Sequence, residues 1–466
     1  MFRLHCKFDY KLLLRSFHKA ADYIPRFLQA ELPETEVSKL SNEIRVASEN
    51  WRSETCTVGL WMDIGSRCEN DKNNGIAHFL EHMYFKGTDK RDHNTIQSET
   101  IERGASWNTY TSREMISINA NCHKKDLEWA ISLLSEIVTT TKYDDNIVEK
   151  SKENVLKELE AIGNNPREVV FDYIHGTAYQ GTPLGRSILG TEETIKSFTA
   201  KDLSSYVENF VKGPRMVLAA VGDIEHQHLN ELANKYLSNI TCNYASGIDQ
   251  RLPVRYTASD IKHRDDDLPL GHAIIALQGP GWSSPDNIPL LVAASINGSY
   301  DHSYGGTVYS SNHMALNAFK TWDWHSFQSF LISYHDTSLW GVHFTATSLG
   351  IFDATREVLD RMVRLCSNIT DFEVNRAKNQ LKGQVTSVFN DQTSICDEIG
   401  RQMVVYGRRI PLEEMIARID AVDSNMVRNT ANTYIYDKCP VIASYGPVEG
   451  MMDYNNVRAR TYWVRY

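Results

Sequence analysis

The chain has 466 residues, enough for two or more domains with large cores. It is 42% hydrophobic and 23% charged, an ordinarily globular composition, and no apolar run approaches the ~18 residues of a membrane span. A net charge of −10 argues against a nucleic-acid partner and suits a basic one. Eight cysteines (Cys6, Cys56, Cys68, Cys122, Cys242, Cys366, Cys396 and Cys439) are scattered with no C-x-x-C pair. They read as reduced, mostly buried thiols, not as a disulfide frame.

The N-terminus breaks with this acidic background. Arg3, Lys7, Lys11, Arg15 and Lys19 recur every four residues among Phe2, Leu4, Leu12, Leu13, Leu14 and Phe17. Only Asp9 and Asp22 oppose them before Pro25. Residues 1–25 are therefore expected to be a mitochondrial targeting presequence. Strands are expected over 42–49 and 55–64.

The stretch GIAHFLEHMYFKGT follows. Histidines four apart on a helix lie roughly 400° apart around its axis, so His78 and His82 point off one face. That spacing suits two imidazole ligands of one tetrahedral metal ion. Glu81, one residue before the second histidine, can take a proton from an activated water without being a ligand. The order inverts the commoner H-E-x-x-H zinc signature. The alternative is an amphipathic helix carrying two unrelated histidines.

Ile116 to Cys122 alternate apolar and polar, which predicts a half-buried strand. Helices are expected over 124–140 and 145–162, and Pro166 can open a third over 166–178. The apolar run 216–224 reads as the strand that closes the first half.

The second half repeats this order, with amphipathic helices over 351–366 and 371–389. A Gly-Arg pair follows in each half (Gly185-Arg186 and Gly400-Arg401), then a short apolar strand running into glycine, VLAAVGDI and VIASYGPV. The period of roughly 215 residues suits a duplicated domain. Polar, turn-forming residues near 240–255 connect the halves. The boundaries are thus 26–245 for an N-terminal domain with the metal site and 246–466 for a C-terminal domain without metal. In the second half NIPLLVAASING stands where the His/Glu cluster would be.

A zinc site with two histidines needs a third ligand and an open position. Glu149, Glu153, Glu158 and Glu160 all lie on the helix over 145–162, and spacing does not choose among them.

The segments AHFLEHMYFKGT, GASWNTYTSRE, NVLKELEAI, EVVFDYIHGTAYQGTPLGRSILG and KGPRMVLAAVGDIEH resemble the pitrilysin/insulin-degrading-enzyme clan of zinc metallopeptidases. Within it, the likeness is to the branch of mitochondrial processing-peptidase beta subunits and core-1 subunits of ubiquinol–cytochrome c reductase. It covers nearly the whole chain from about residue 35. The resemblance implies an α+β fold of two duplicated domains, each an antiparallel sheet covered by helices, forming half of a clam-like chamber. It implies Zn2+ held by His78, His82 and Glu158, with Glu81 activating water and Asn108 holding substrate backbone. Glu168 and Asp172, four apart on one helix face, match the family's acidic pair for a substrate arginine.

The implied partners are an alpha-type subunit or core subunit 2, basic presequence peptides and, in the respiratory complex, cytochrome b and the iron–sulfur protein. The implied location is the mitochondrial matrix or the matrix side of the inner membrane. Three positions depart from active relatives: Ser151 stands for a glutamate, Tyr84 for an alanine, and Thr109 for a small residue. Two readings stand: a presequence-cleaving zinc endopeptidase, and a structural core subunit. A non-catalytic alpha-type reading is disfavoured, because SYGGTVYSS (303–311) is too short for that type's glycine-rich loop.

Overall fold

The computed structural model describes residues 32–243, 252–304 and 309–462. The basic leader and parts of the linker, of the SYGGTVYSS stretch and of the YWVRY end lie outside the described residues. From Thr35 onward the chain forms one compact unit.

The first half opens with strands β1 (Glu36–Lys39), β2 (Arg45–Asn50) and β3 (Thr55–Met62). Helices α1 (Ile76–Met83) and α2 (His93–Arg103) precede β4 (Ser106–Thr111) and β5 (Ile116–His123). Then come α3 (Leu127–Thr139), α4 (Asp145–Gly163), α5 (Pro166–Ala178), α6 (Glu192–Ser197) and α7 (Ala200–Phe210). Strand β6 (Met216–Gly222) and helix α8 (His226–Leu237) end this half. Pro166 does open α5: it occupies the first turn, and the Asn165 side chain accepts the Arg167 N–H.

The second half runs β7 (Asp260–Arg264), β8 (Gly271–Pro280), α9 (Asn287–Asn297), β9 (Ser299–Asp301), α10 (His313–Thr321), β10 (Trp324–Ser333) and β11 (Thr337–Ala346). Helices α11 (Ile351–Arg364), α12 (Asp371–Ser387), α13 (Gln392–Tyr406), α14 (Leu412–Asp420) and α15 (Ser424–Tyr434) follow, then β12 (Val441–Gly446) and α16 (Tyr454–Ala459).

The sheet orders are β1-β2-β6-β3-β5-β4 and β7-β12-β8-β11-β10-β9. Aligned as β2-β6-β3-β5-β4 on β7-β12-β8-β11-β10, they share one topology with the same chain order, which is the duplication read from the sequence. The fold is α+β, each sheet mostly antiparallel, with one parallel pair in each, β2 with β6 and β12 with β7. The short β1 and β9 are edge additions that no periodicity announced.

Both sheets are buried on two faces. Along β3, Cys56, Val58, Leu60 and Met62 enter the main core of the first half, while Trp61 enters a second cluster on the opposite face. Strand β6 divides the same way, Met216, Leu218 and Ala220 against Val217, Ala219 and Val221. The second face of the first sheet is covered by Ile395, Cys396, Ile399 and Met403 of α13, a helix from the other half. Reciprocally, Val170, Ile174 and Ala178 of α5 pack against Ile274, Ala276, Val441 and Ala443 of the second sheet. Each half lends a helix to its partner's sheet.

That exchange corrects two sequence expectations. Strand β5 is not half-buried, because Trp61 leans across Gly59 beside Asn119, leaving Ser117 and Asn119 almost fully buried. The Gly-Arg pairs do not correspond either: Gly400 lies inside α13, while Gly185 lies in the turn after α5. Polar ties cross the same seam. Arg67 donates to both oxygens of Asp336 (2.8 and 2.6 Å), Arg409 pairs with buried Glu49 (3.3 Å), and the Trp61 indole N–H reaches Asp397 (3.0 Å).

Candidate metal centre

Helix α1 is two turns long and starts at Gly75 in the left-handed conformation (φ 91°). A Cβ at Gly75 would stand 2.5 Å from the Leu189 carbonyl oxygen, so only glycine lets the 187–190 loop close on the helix start. Buried Glu69 caps this end. Its two oxygens accept the backbone N–H of Gly75 (2.8 Å) and Ala77 (2.9 Å), and the Asn74 amide adds a third bond (3.0 Å). Burial pushes the Glu69 carboxyl up to about 7, against the N–H donors that favour its charge.

The four-residue spacing then does what it predicted. His78 and His82 project from one face of α1, with ring centroids 4.9 Å apart. Glu158 of α4 meets both: its carboxylate oxygens lie 3.4 Å from His78 Nε2 and 2.9 Å from His82 Nε2. One donor atom from each of the three lies within 4.8 Å of the others, and this is the one such His/Cys/Asp/Glu group among the described residues. Ligands ~2.1 Å from one tetrahedral ion stand ~3.4 Å apart, the separation found between His78 and Glu158. Two neutral imidazoles and one carboxylate make a zinc-type donor set that leaves a fourth position for solvent. Burial lowers the His78 pKa against the pull of Glu158, favouring the neutral, ligating ring. Its other nitrogen, Nδ1, is buried without a hydrogen-bond partner among the described residues.

On the same helix, Glu81 reaches the edge strand of the sheet. Its two oxygens accept hydroxyl hydrogens from Thr109 (2.7 Å) and Thr111 (2.6 Å), neighbours on one face of β4. These contacts fix the carboxylate plane beside the donor cluster. Neither threonine was singled out as a partner of Glu81; the period-2 alternation of SWNTYT, with T-x-T on the strand beside the H-x-x-E-H helix, was the available signal. Tyr84 is buried in the first-half core. Ser151 is buried on α4, two turns before Glu158, and its hydroxyl has no hydrogen-bond partner.

Asn108 is exposed on β4, the edge strand of the first sheet. Glu168 is exposed on α5, and Asp172 lies one turn further on. Asp172 Oδ1 accepts from buried Arg113 (2.9 Å), of the loop after β4.

A duplicated helix-on-sheet fold, with a His/His/Glu cluster found among the described residues on one half, is the arrangement of a metallopeptidase-type protein. The chain matches the family Insulinase (Peptidase family M16) over residues 45–192 and the Peptidase M16 inactive domain over residues 197–381. It belongs to peptidase family M16. It is 44% identical to the mouse protein named cytochrome b-c1 complex subunit 1, mitochondrial, over 94% of this chain and 92% of that one. It is 45% identical to mouse mitochondrial-processing peptidase subunit beta, over 93% and 89%. A chain of the solved Candida albicans Complex III2 with Inz-5 bound superposes with a TM-score of 0.83 at 25% identity, covering 92% of this chain and all of that one.

Proposed function

We propose that this chain is a mitochondrial zinc metalloendopeptidase of the processing-peptidase beta type, removing basic presequences from imported precursors together with an alpha-type partner. The observation that carries the proposal is the complete His78–His82–Glu158 cluster with Glu81 held apart from it by two threonines. His78, His82 and Glu158 would hold the zinc ion, which would supply Lewis acidity for activating water and polarising a peptide carbonyl. Glu81 takes the proton of the attacking water and returns it to the departing amine. An extended peptide adds to the free edge of β4 by main-chain hydrogen bonds, with Asn108 holding its backbone. A substrate arginine is received by Glu168 and by the Asp172 oxygen that Arg113 leaves free. We draw the boundary between the two domains at 245/246, and the leader over 1–25 directs the chain to the matrix.

The similarity to cytochrome b-c1 subunit 1 and to the Complex III2 chain favours a second role on the same fold. In it the chain is core subunit 1 of the respiratory complex, beside core subunit 2, cytochrome b and the iron–sulfur protein. Cleavage of a basic presequence peptide by the chain assembled with its alpha-type partner tests the first reading. Wild type is expected to cut, and Glu81→Gln to keep zinc and lose turnover. A wild-type assembly that holds zinc and leaves the peptide intact, or Glu81→Gln at the wild-type rate, refutes it.

A further inference from the structure

Cys56 on β3 and Cys122 on β5 are direct cross-strand partners, so both side chains stand on the same sheet face. Their sulfurs lie 3.6 Å apart and, among the described residues, hydrogen-bond only to each other. Directly opposed residues on antiparallel strands have Cα atoms ~4.5 or ~5.5 Å apart, and both values fall within the range that disulfides span. Closing the bond to ~2.05 Å moves the sulfurs together by ~1.5 Å, within the reach of a χ1 adjustment at both residues.

We propose that Cys56 and Cys122 form a reversible disulfide when the chain meets a peroxide-class oxidant. The Cys56 thiolate attacks one peroxide oxygen; the O–O bond breaks, giving a sulfenic acid at Cys56 and, with a proton, one water. The Cys122 sulfur then attacks the Cys56 sulfur. The S–O bond breaks, the S–S bond forms, and hydroxide leaves as a second water after taking the Cys122 proton. Two thiols lose two electrons and two protons, and one peroxide becomes two waters.

The Cys122 S–H holds the Cys56 thiol below its ordinary pKa, while Cys122 is raised by the same bond and by burial. Although both sulfurs are buried, the pair lies one residue inside the ends of β3 and β5. Thr55, which pairs with His123 there, is exposed. Strand ends open at low free-energy cost, which admits a molecule as small as peroxide. The other buried thiol nearby, Cys396, lies against the opposite face of the sheet and is directed at the Thr57 and Ala219 carbonyls (both 3.5 Å). The segment closed by the bond, 56–122, contains His78, Glu81, His82, Asn108, Thr109 and Thr111. The disulfide therefore ties β3, the strand before the metal helix, to β5, the neighbour of the strand that carries the threonines on Glu81.

The test is to expose the purified full chain, assembled with its partner, to hydrogen peroxide. Free thiols are then alkylated in denaturant and the digest mapped by mass spectrometry without reductant. The expected product joins the Cys56 and Cys122 peptides, two hydrogen masses lighter, and dithiothreitol reverses it. Cys122→Ser is expected to lack any cross-link at Cys56; if that variant does not fold, the wild-type map decides alone. Full alkylation of Cys56 and Cys122 while the exposed Cys242 and Cys439 are oxidised would overturn the proposal. So would Cys56 joined to another cysteine.

Discussion

The exchange of α5 and α13 makes Gly400 a sensitive position. A Cβ at Gly400 would stand 2.5 Å from Cε3 of Trp61 and closer still to Cδ2 and Cε2. Ordinary carbon contacts are ~3.5–4.0 Å, so the helix or the indole must move by more than ~1 Å. The indole is fully buried, and its N–H is held by Asp397 of the same helix. Moving the helix disturbs the packing of Cys396, Ile399 and Met403 on the sheet. Overpacking costs about 1–3 kcal/mol, occasionally more. A buried indole N–H left unpaired adds about 1–3 kcal/mol. Alanine's better helix propensity returns about 1 kcal/mol. Gly400→Ala is therefore expected to destabilise the chain by roughly 1–5 kcal/mol, read as a lower urea midpoint in equilibrium unfolding. Gly383→Ala is the control: Gly383 lies in α12, and a Cβ there meets nothing within 4 Å. It is expected to be neutral or to stabilise by up to about 1 kcal/mol. Wild-type stability in Gly400→Ala would refute the packing of α13 on Trp61.

Two further outcomes follow from buried groups. Ser151 has an unpartnered hydroxyl on the helix that carries Glu158, and His78 Nδ1 has no partner either. Outer-shell partners of metal ligands are worth ~10–100-fold in affinity, so Ser151→Glu is expected to raise zinc affinity by about tenfold in a chelator competition; unchanged affinity removes Ser151 as an impairment. The second outcome concerns pH. Burial holds His175 well below the ordinary 6.5, and His343 at about 3. Below 6.5 the unfolded chain binds more protons than the folded one, so stability falls with pH there by ~1.4 kcal/mol per unit for each histidine and is flat above about 7. Glu69, raised to about 7 from 4.5, works in the opposite sense between those values and offsets part of the loss. A urea midpoint that holds constant or rises from about pH 7.5 to about pH 5.5 would contradict this balance.

Much of this architecture was legible in the residues. The helices over Leu127–Thr139, Asp145–Gly163 and Pro166–Ala178 follow from 3.6-residue periodicity and the proline start, and the 215-residue repeat reappears as two sheets of one topology. His78, Glu81 and His82 were readable because their chemistry is local, set by four residues of one helix. Glu158 was readable only through the family resemblance, since four glutamates share its helix and spacing does not choose among them; in the fold the tertiary approach of α4 to α1 selects it. The burial of Ser117 and Asn119 was hidden for the same reason: a helix roughly 280 residues further along the chain covers that face of the sheet, a relation that no local alternation encodes. Arg113 on Asp172 and the two threonines on Glu81 likewise depend on the register of β4 against its neighbours.

We propose His78, His82 and Glu158 as a working zinc site. Elemental analysis of the purified assembly tests it most directly. About one zinc per chain is expected in the wild type, with equal content in Glu81→Gln and loss of the metal in Glu158→Gln. A wild-type chain without zinc, or full zinc occupancy in Glu158→Gln, would contradict it.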